Sequence, residues 1–255
     1  MKTVMLCDYG LDDACATLKV LEERNENDEI VLVAVAGNDN AQKSLDNAKT
    51  LISNVENRKG ITIVDTTDVV QNCAYLPSIH GKDSMGDLLT FKEVDITVVK
   101  FNDWLNTTNN DIVLISLGPC TITKKIIEKI GNPQTLLIMG GNVAEEPNFN
   151  GYEFNHAIDI PAFAWCVKRP HLIATLDSCR CSAYNFISHK FDDNTLLGKM
   201  LNRSIELAKA RHPDRSYVYD YICVSYLYEK EKWNLKSMTD SDGNILNVLV
   251  YNSQN

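Results

Sequence analysis

No apolar run in the sequence approaches the length of a membrane-crossing helix, and the apolar stretch Val4 to Cys7 is too short for the core of a secretory signal. Neither a membrane partner nor export is expected, and the chain reads as cytoplasmic. Blocks of lysine or arginine are missing too: 25 basic residues stand against 34 acidic ones, a formal net charge of -9. That balance disfavours nucleic acid and anionic membranes as partners, so a small neutral or cationic ligand fits better. There is no internal repeat and no low-complexity linker. With 255 residues, 44% hydrophobic and 23% charged, one globular domain over residues 1–255 accounts for the chain.

A disulfide framework is also absent on this reading. Cys7, Cys15, Cys120, Cys166 and Cys223 sit inside apolar patterns, where a buried thiol is the ordinary state. Cys179 and Cys181 form a C-x-C pair, but no second C-x-x-C and no paired histidines complete a tetrahedral zinc set.

What is present is alternation. Short β-rich runs at 4–7, 30–36, 61–64, 112–116, 136–139 and 172–176 are separated by helical patterns near 12–25, 41–57, 93–106, 119–131 and 159–168. Helices near 195–211 and 216–230, a turn at 240–244 and a strand at 245–251 follow. This order predicts an α/β fold: a single-domain, open, mostly parallel sheet with helices on both faces and a Rossmann-like core. Asp8, Asn38, Leu117-Gly118 and Gly140-Gly141-Asn142 all fall just beyond the carboxyl ends of expected strands, where open α/β sheets bind ligands. The long connection 65–87 adds His80, in a segment of the kind that carries function or covers a site.

The stretch Val4 to Ala14 holds the strongest local signal. A short strand runs into a glycine turn, Gly10, with Asp8, Asp12 and Asp13 around it. Like charges a few ångströms apart repel by several kcal/mol, so such a trio implies a bound cation or a shared proton. Helix capping is the plainer reading, since acids are favoured at a helix start, but capping needs one such residue rather than three.

These residues resemble the calcium-dependent nucleoside hydrolases of the inosine-uridine type. Asp8-Tyr9-Gly10-Leu11-Asp12-Asp13 is similar to the family's N-terminal D-x-D-P-G-x-D-D signature, Ala36-Gly37-Asn38 to its glycine-asparagine turn, and His80-Gly81 to Met85-Gly86 to its histidine loop. Ser116-Leu117-Gly118-Pro119 with Thr121 resembles the L-G-P-x-T segment. Met139-Gly140-Gly141 followed by Glu153-Phe154-Asn155 and Asp159 resembles the M-G-G to E-F-N-x-x-x-D region, and Tyr219-Asp220 the late H-D pair. Six weak motifs in one order are specific together.

The resemblance implies a calcium ion held by Asp8, Asp13, the Leu117 carbonyl and Asp220, an all-oxygen set of the kind hard cations take. It implies hydrolysis of the N-glycosidic bond of ribonucleosides to base and ribose, with Asp8 as the base that takes a proton from water at the ion. Asp12, Asn38, Glu153 and Asn155 would grip the ribose hydroxyls, with Asn142 and Asn148 in the same role. His80 or Tyr219 would protonate the departing base, and a homodimer or homotetramer is expected, serving nucleoside salvage.

Three positions depart from the pattern. Leu6 stands where the family has an aspartate, Tyr9 replaces a proline, and Tyr219 replaces a histidine placed to protonate the base. The reading opposed to catalysis is therefore an impaired relative that binds calcium and a nucleoside. A phosphatase with an N-terminal aspartate nucleophile is a third reading; that chemistry expects a second acid two residues after Asp8, where Gly10 stands.

Overall fold

The structure is a computed structural model that describes residues 2–252. Its elements in chain order are β1 (Lys2–Cys7), α1 (Leu11–Glu23), β2 (Glu29–Ala34), α2 (Ala41–Ser53), β3 (Ile61–Asp65), α3 (Pro77–His80), β4 (Val98–Lys100), α4 (Phe101–Thr107), β5 (Val113–Ser116), α5 (Thr121–Ile130), β6 (Thr135–Met139), α6 (Phe154–Ile158), α7 (Ile160–Cys166), β7 (Leu172–Ala174), α8 (Leu176–Cys179), α9 (Leu196–Lys209), α10 (Tyr219–Tyr228), β8 (Trp233–Thr239) and β9 (Ile245–Tyr251).

The strands form one open sheet in the order β4-β3-β2-β1-β5-β6-β7-β9-β8, parallel throughout except for the β8–β9 hairpin. Successive side chains of a strand point to opposite faces, and here both faces are covered. Val4 and Leu6 of β1 enter an apolar cluster with Phe101 of α4, Ile122 and Ile126 of α5 and Phe163 of α7. Met5 and Cys7 enter the other, with side chains from α1, α2, α8, α9 and α10. The expected α/β sheet with helices on both faces is the observed one. Among the described residues no helix is long and apolar enough to cross a membrane.

Several boundaries differ from expectation. The helix expected over 93–106 is confined to α4, because Val98 and Val99, β-branched residues suited to a pleated surface, pair with Ile63 and Val64 as strand β4. The helix expected at 159–168 is two. Asp159 leaves helical geometry at φ -147 and ψ 75, its carboxylate accepts from Ala162 N at 3.0 Å, and Pro161, with no N–H to lose, takes an early position of α7. The strand expected at 172–176 stops at Ala174, since Thr175 turns to cap α8. The helix expected at 216–230 is the shorter α10. Strand β8 was not expected at all: it lies at the edge of the sheet, and most of its side chains face solvent.

Candidate active site

Parallel strands place their carboxyl ends on one rim. β1 and β5 are neighbours, yet the chain lays β2 to β4 on one side of β1 before returning to place β5 on the other. Such a reversal opens a crevice between the loops, and Asp8 and Leu117 are the residues that leave β1 and β5 there.

Asp8 is buried and clamped by Asn38, whose backbone N–H donates to Oδ2 at 2.7 Å and whose Nδ2 donates to Oδ1 at 2.9 Å. The close approach requires Gly37: a Cβ there would lie 1.9 Å from Asp8 Oδ2. Gly10 serves likewise, since its Cβ would stand 2.5 Å from Asn38 Nδ2 and 2.9 Å from the His80 ring. Three separate sequence motifs thus meet at van der Waals distance. Burial pushes the Asp8 carboxyl up from its ordinary value, and the N–H of Asn38 opposes the rise.

The capping reading of the acidic turn is realised by one oxygen, and other oxygens of the turn leave room for a cation. Asp13 Oδ2 accepts from Gly10 N at 2.9 Å and caps α1, while Asp13 Oδ1 is buried without a hydrogen-bond partner, as is Asp12 Oδ1. The first turn of α10 brings up Asp220, so that one ligand atom each from Asp12, Asp13 and Asp220 lie within 4.8 Å of one another. Burial, then the charge of neighbouring acids, pushes the Asp13 and Asp220 carboxyls well above the usual range. Buried orphan oxygens in a purely carboxylate set fit a hard divalent cation. The Leu117 carbonyl lies at the same crevice; it accepts from Asn155 Nδ2 at 2.6 Å and has a second lone pair.

A cavity of ≈ 180 Å³ opens over this cluster. Of the residues expected at the site, Asp8, Asp12, Asn38, His80, Leu117, Asn148, Glu153, Asn155, Tyr219 and Asp220 line it. Asp13 sits behind them, fully buried. Asn142 is not among the lining residues; its Nδ2 donates to the Glu145 carbonyl at 3.0 Å. Leu76, Ile79, Phe149 and Phe154 form an apolar wall that had not been expected, the two phenylalanines edge to face with centroids 5.1 Å apart.

Glu153 caps α6. Its Oε1 accepts from Asn155 N at 3.0 Å and its Oε2 from His156 N at 3.0 Å and Gly141 N at 2.9 Å, which ties the Gly140-Gly141 turn to the helix. Burial nevertheless pushes its carboxyl up to about 7, since losing water outweighs the three N–H groups. His80 Nδ1 accepts from Leu11 N at 3.1 Å, so the neutral ring carries its proton on Nε2. The Tyr219 hydroxyl accepts from Arg180 Nε at 3.4 Å; burial raises the phenol and the guanidinium opposes it.

Arg180 and Asp177 are residues the sequence reading missed. The Asp177 carboxylate accepts from the N–H groups of Val143, Ala144 and Glu145 at 2.8, 2.7 and 3.0 Å, holding the loop after β6. Their only signal was the cap-like Thr175 three residues before Ser178.

Two departures acquire a structural account. Leu6 is fully buried in the sheet core, on the strand face opposite Cys7. Tyr9 holds φ 50, a value closed to proline, and packs its fully buried ring into the other core cluster.

Carboxylates and amides converging beyond the strand ends of an open parallel sheet, around an acid cluster fit for a cation, define an α/β enzyme built for a small polar ligand. The family is specific: the model for inosine-uridine preferring nucleoside hydrolases matches residues 4–247, and the chain belongs to that family of metal-dependent N-glycosyl hydrolases. Among solved structures it is similar to a purine-preferring ribonucleoside hydrolase from Gardnerella vaginalis, with TM-score 0.73 and 18% identity over 99% of this chain and 89% of that one. An inosine-guanosine nucleoside hydrolase gives TM-score 0.70 and 16% identity, covering 100% of this chain and 88% of that one. An inosine-uridine preferring nucleoside hydrolase from Bacillus anthracis gives 0.65 and 15%, covering 99% and 91%. These three share the fold. Comparison with curated protein sequences gives no match.

Proposed function

We propose that the protein hydrolyses the N-glycosidic bond of ribonucleosides, with calcium as cofactor, to give free base and ribose. The observation that carries the reading is the pair of buried, unpartnered oxygens, Asp12 Oδ1 and Asp13 Oδ1, beside a cavity lined by amides and carboxylates. Asp8, Asp13, Asp220 and the Leu117 carbonyl would hold the ion, with Asp12 on its cavity side. Bound there, calcium supplies positive charge that makes a nearby water more acidic and attracts sugar hydroxyls.

The chain's own groups do the rest. Asp8 takes the proton of the attacking water, and Asn38 keeps the Asp8 carboxylate in one plane for that purpose. Asp12, Asn38, Asn148, Glu153 and Asn155 present acceptors and amides to the ribose, Asn142 contributing through the loop it steadies. The apolar wall receives the base and keeps water from it. His80 Nε2 and the Tyr219 hydroxyl are the two hydrogens directed at the leaving group. Cytoplasmic nucleoside salvage by a homodimer or homotetramer completes the reading; its support is the family resemblance and eight free cysteines, which suit a reducing compartment.

Incubation with inosine, uridine and a nucleotide, with and without calcium chelation, tests the proposal. Chelator-sensitive ribose release is expected. Binding without turnover would favour the impaired relative, and phosphate release the phosphatase.

Leaving-group activation has its own test. Tyr219→Phe is expected to slow natural nucleosides by roughly ten- to ten-thousandfold, the span of general acid catalysis, and to affect a nitrophenyl riboside far less, because that leaving group needs no proton. His80→Ala is the matched comparison. Slowing of natural substrates by His80→Ala alone would move the acid role to His80, and equal slowing of both substrate types by both variants would reduce the two residues to ligand positioning.

Calcium should also stabilise the fold in a pH-dependent way. Without the ion, Asp13, Asp220 and Glu153 keep protons in the native state at pH values where the unfolded chain has lost them. Native stability therefore falls as pH rises from the ordinary carboxylate range, about 4, toward 7 and above. An ion that replaces the Asp13 and Asp220 protons removes their share of the loss. At a hundred times its Kd, calcium adds about 2.7 kcal/mol by mass action, and apparent Kd itself should tighten with pH. Thermal melts at pH 5.5 and 8 are expected to show the larger calcium-induced Tm gain at pH 8; equal gains would contradict the assignment.

A further inference from the structure

We infer that Arg180 is a positioning residue for departure of the base: it turns the Tyr219 hydroxyl so that the hydroxyl hydrogen faces the cavity. The inference rests on the hydrolase reading above. A guanidinium only donates, so the 3.4 Å contact from Arg180 Nε makes Tyr219 Oη an acceptor on that side and forbids its hydrogen from pointing there. The other charged groups acting on Tyr219 are Arg211, which is donor-only as well, and Asp12, which lines the same cavity. Cys179 Sγ reaches the Tyr219 carbonyl rather than its hydroxyl. The hydrogen is left the cavity side, where Tyr219 shares the lining with Phe149 and Phe154.

Arg180 cannot swing away. Its Nη1 donates to Glu145 Oε2 at 3.1 Å and to the Glu146 carbonyl at 2.9 Å, and the side chain is only 16% exposed. The loop that receives it is fixed by Asp177 of α8, the short helix that Arg180 directly follows. In the step this serves, the C1′–N bond breaks with its electron pair passing to the base nitrogen, and the Tyr219 hydroxyl gives that nitrogen a proton. Water adds its oxygen to C1′ while Asp8 takes the water proton. Solvent then returns a proton to Tyr219 and accepts one from Asp8.

The test compares Arg180→Ala and Arg180→Lys in the full chain with calcium, on inosine, uridine and a nitrophenyl riboside. Arg180→Ala is expected to lower kcat on the natural nucleosides by about tenfold or more with KM within about twofold, so the ratio of natural to nitrophenyl rates falls by a similar factor. Arg180→Lys, which keeps a donor but not the fork, should recover part of the ratio. In a Tyr219→Phe background, Arg180→Ala should add little. Equal slowing of all substrates, a change confined to KM, or full additivity with Tyr219→Phe would overturn the inference and leave the hydrolase reading standing. A parent protein that cleaves neither substrate type would overturn that reading and the inference with it.

Discussion

Asp13→Ala is expected to abolish calcium binding and to lower kcat/KM by about a thousandfold or more, whereas Asp12→Ala should lower turnover and keep most of the calcium affinity. The distinction comes from where the two adjacent acids point. Asp13 is fully buried behind the cavity and shares its carboxylate between the α1 cap and the acid cluster; Asp12 lines the cavity itself. Losing Asp13 takes the fully buried member out of the acid cluster and leaves Asp220 with Asp12 alone, and loss of a transition-state interaction of several kcal/mol is a thousandfold in rate. Calorimetric titration with calcium decides it. Equal affinity in Asp13→Ala and the parent would sink the assignment of Asp13 to the ion.

The second large effect is selectivity for the sugar. Removing the 2′-hydroxyl of a nucleoside should reduce kcat/KM by roughly a thousandfold or more. A site that hydrogen-bonds a substrate hydroxyl loses heavily when the hydroxyl is gone, because its own buried polar groups are left unpaired. Here those groups have capacity to spare: Asp12 Oδ1 accepts no hydrogen bond, and Asn38, which gives its backbone N–H and one Nδ2 hydrogen to Asp8, keeps the second Nδ2 hydrogen and its Oδ1. Parallel assays of a ribonucleoside and its 2′-deoxy analogue measure the ratio; near-equal rates would refute this placement of the ribose.

The central strands were legible in the sequence for a physical reason. β1, β2, β3, β5 and β6 are buried on both faces, so each is a continuous β-rich run with turn residues after it. The residues just after those runs are the rim residues, and Asp8, Asn38 and Leu117 could be read from position alone. What depends on packing between distant segments was not legible. Val98 to Lys100 had the composition of either element, and the pairing with β3 decided it. Leu76 and Phe149 lie in irregular connections and Ile79 in the four-residue helix α3, where no period marks a cavity wall. Arg180 follows a helix of four residues, too short to show any periodicity, and its partners are 35 and 39 positions away.

The acid cluster joins Asp12 and Asp13, near one end of the chain, to Asp220 more than two hundred residues later, through the packing of α1 on α10. An ion site of such sequence separation has no local precursor. An unfolded chain, or one in which the α10 segment is undocked, offers only scattered carboxylates, each free to be hydrated. Affinity for a cation would therefore be a property of the completed tertiary contact, and the cost of bringing the acids together without one falls on that same contact. On the calcium reading, the docking of α10 would be a gauge of cation supply: where the ion is plentiful it would cross-link the α1–α10 contact, and where it is scarce that contact would carry the cost of keeping buried acids protonated.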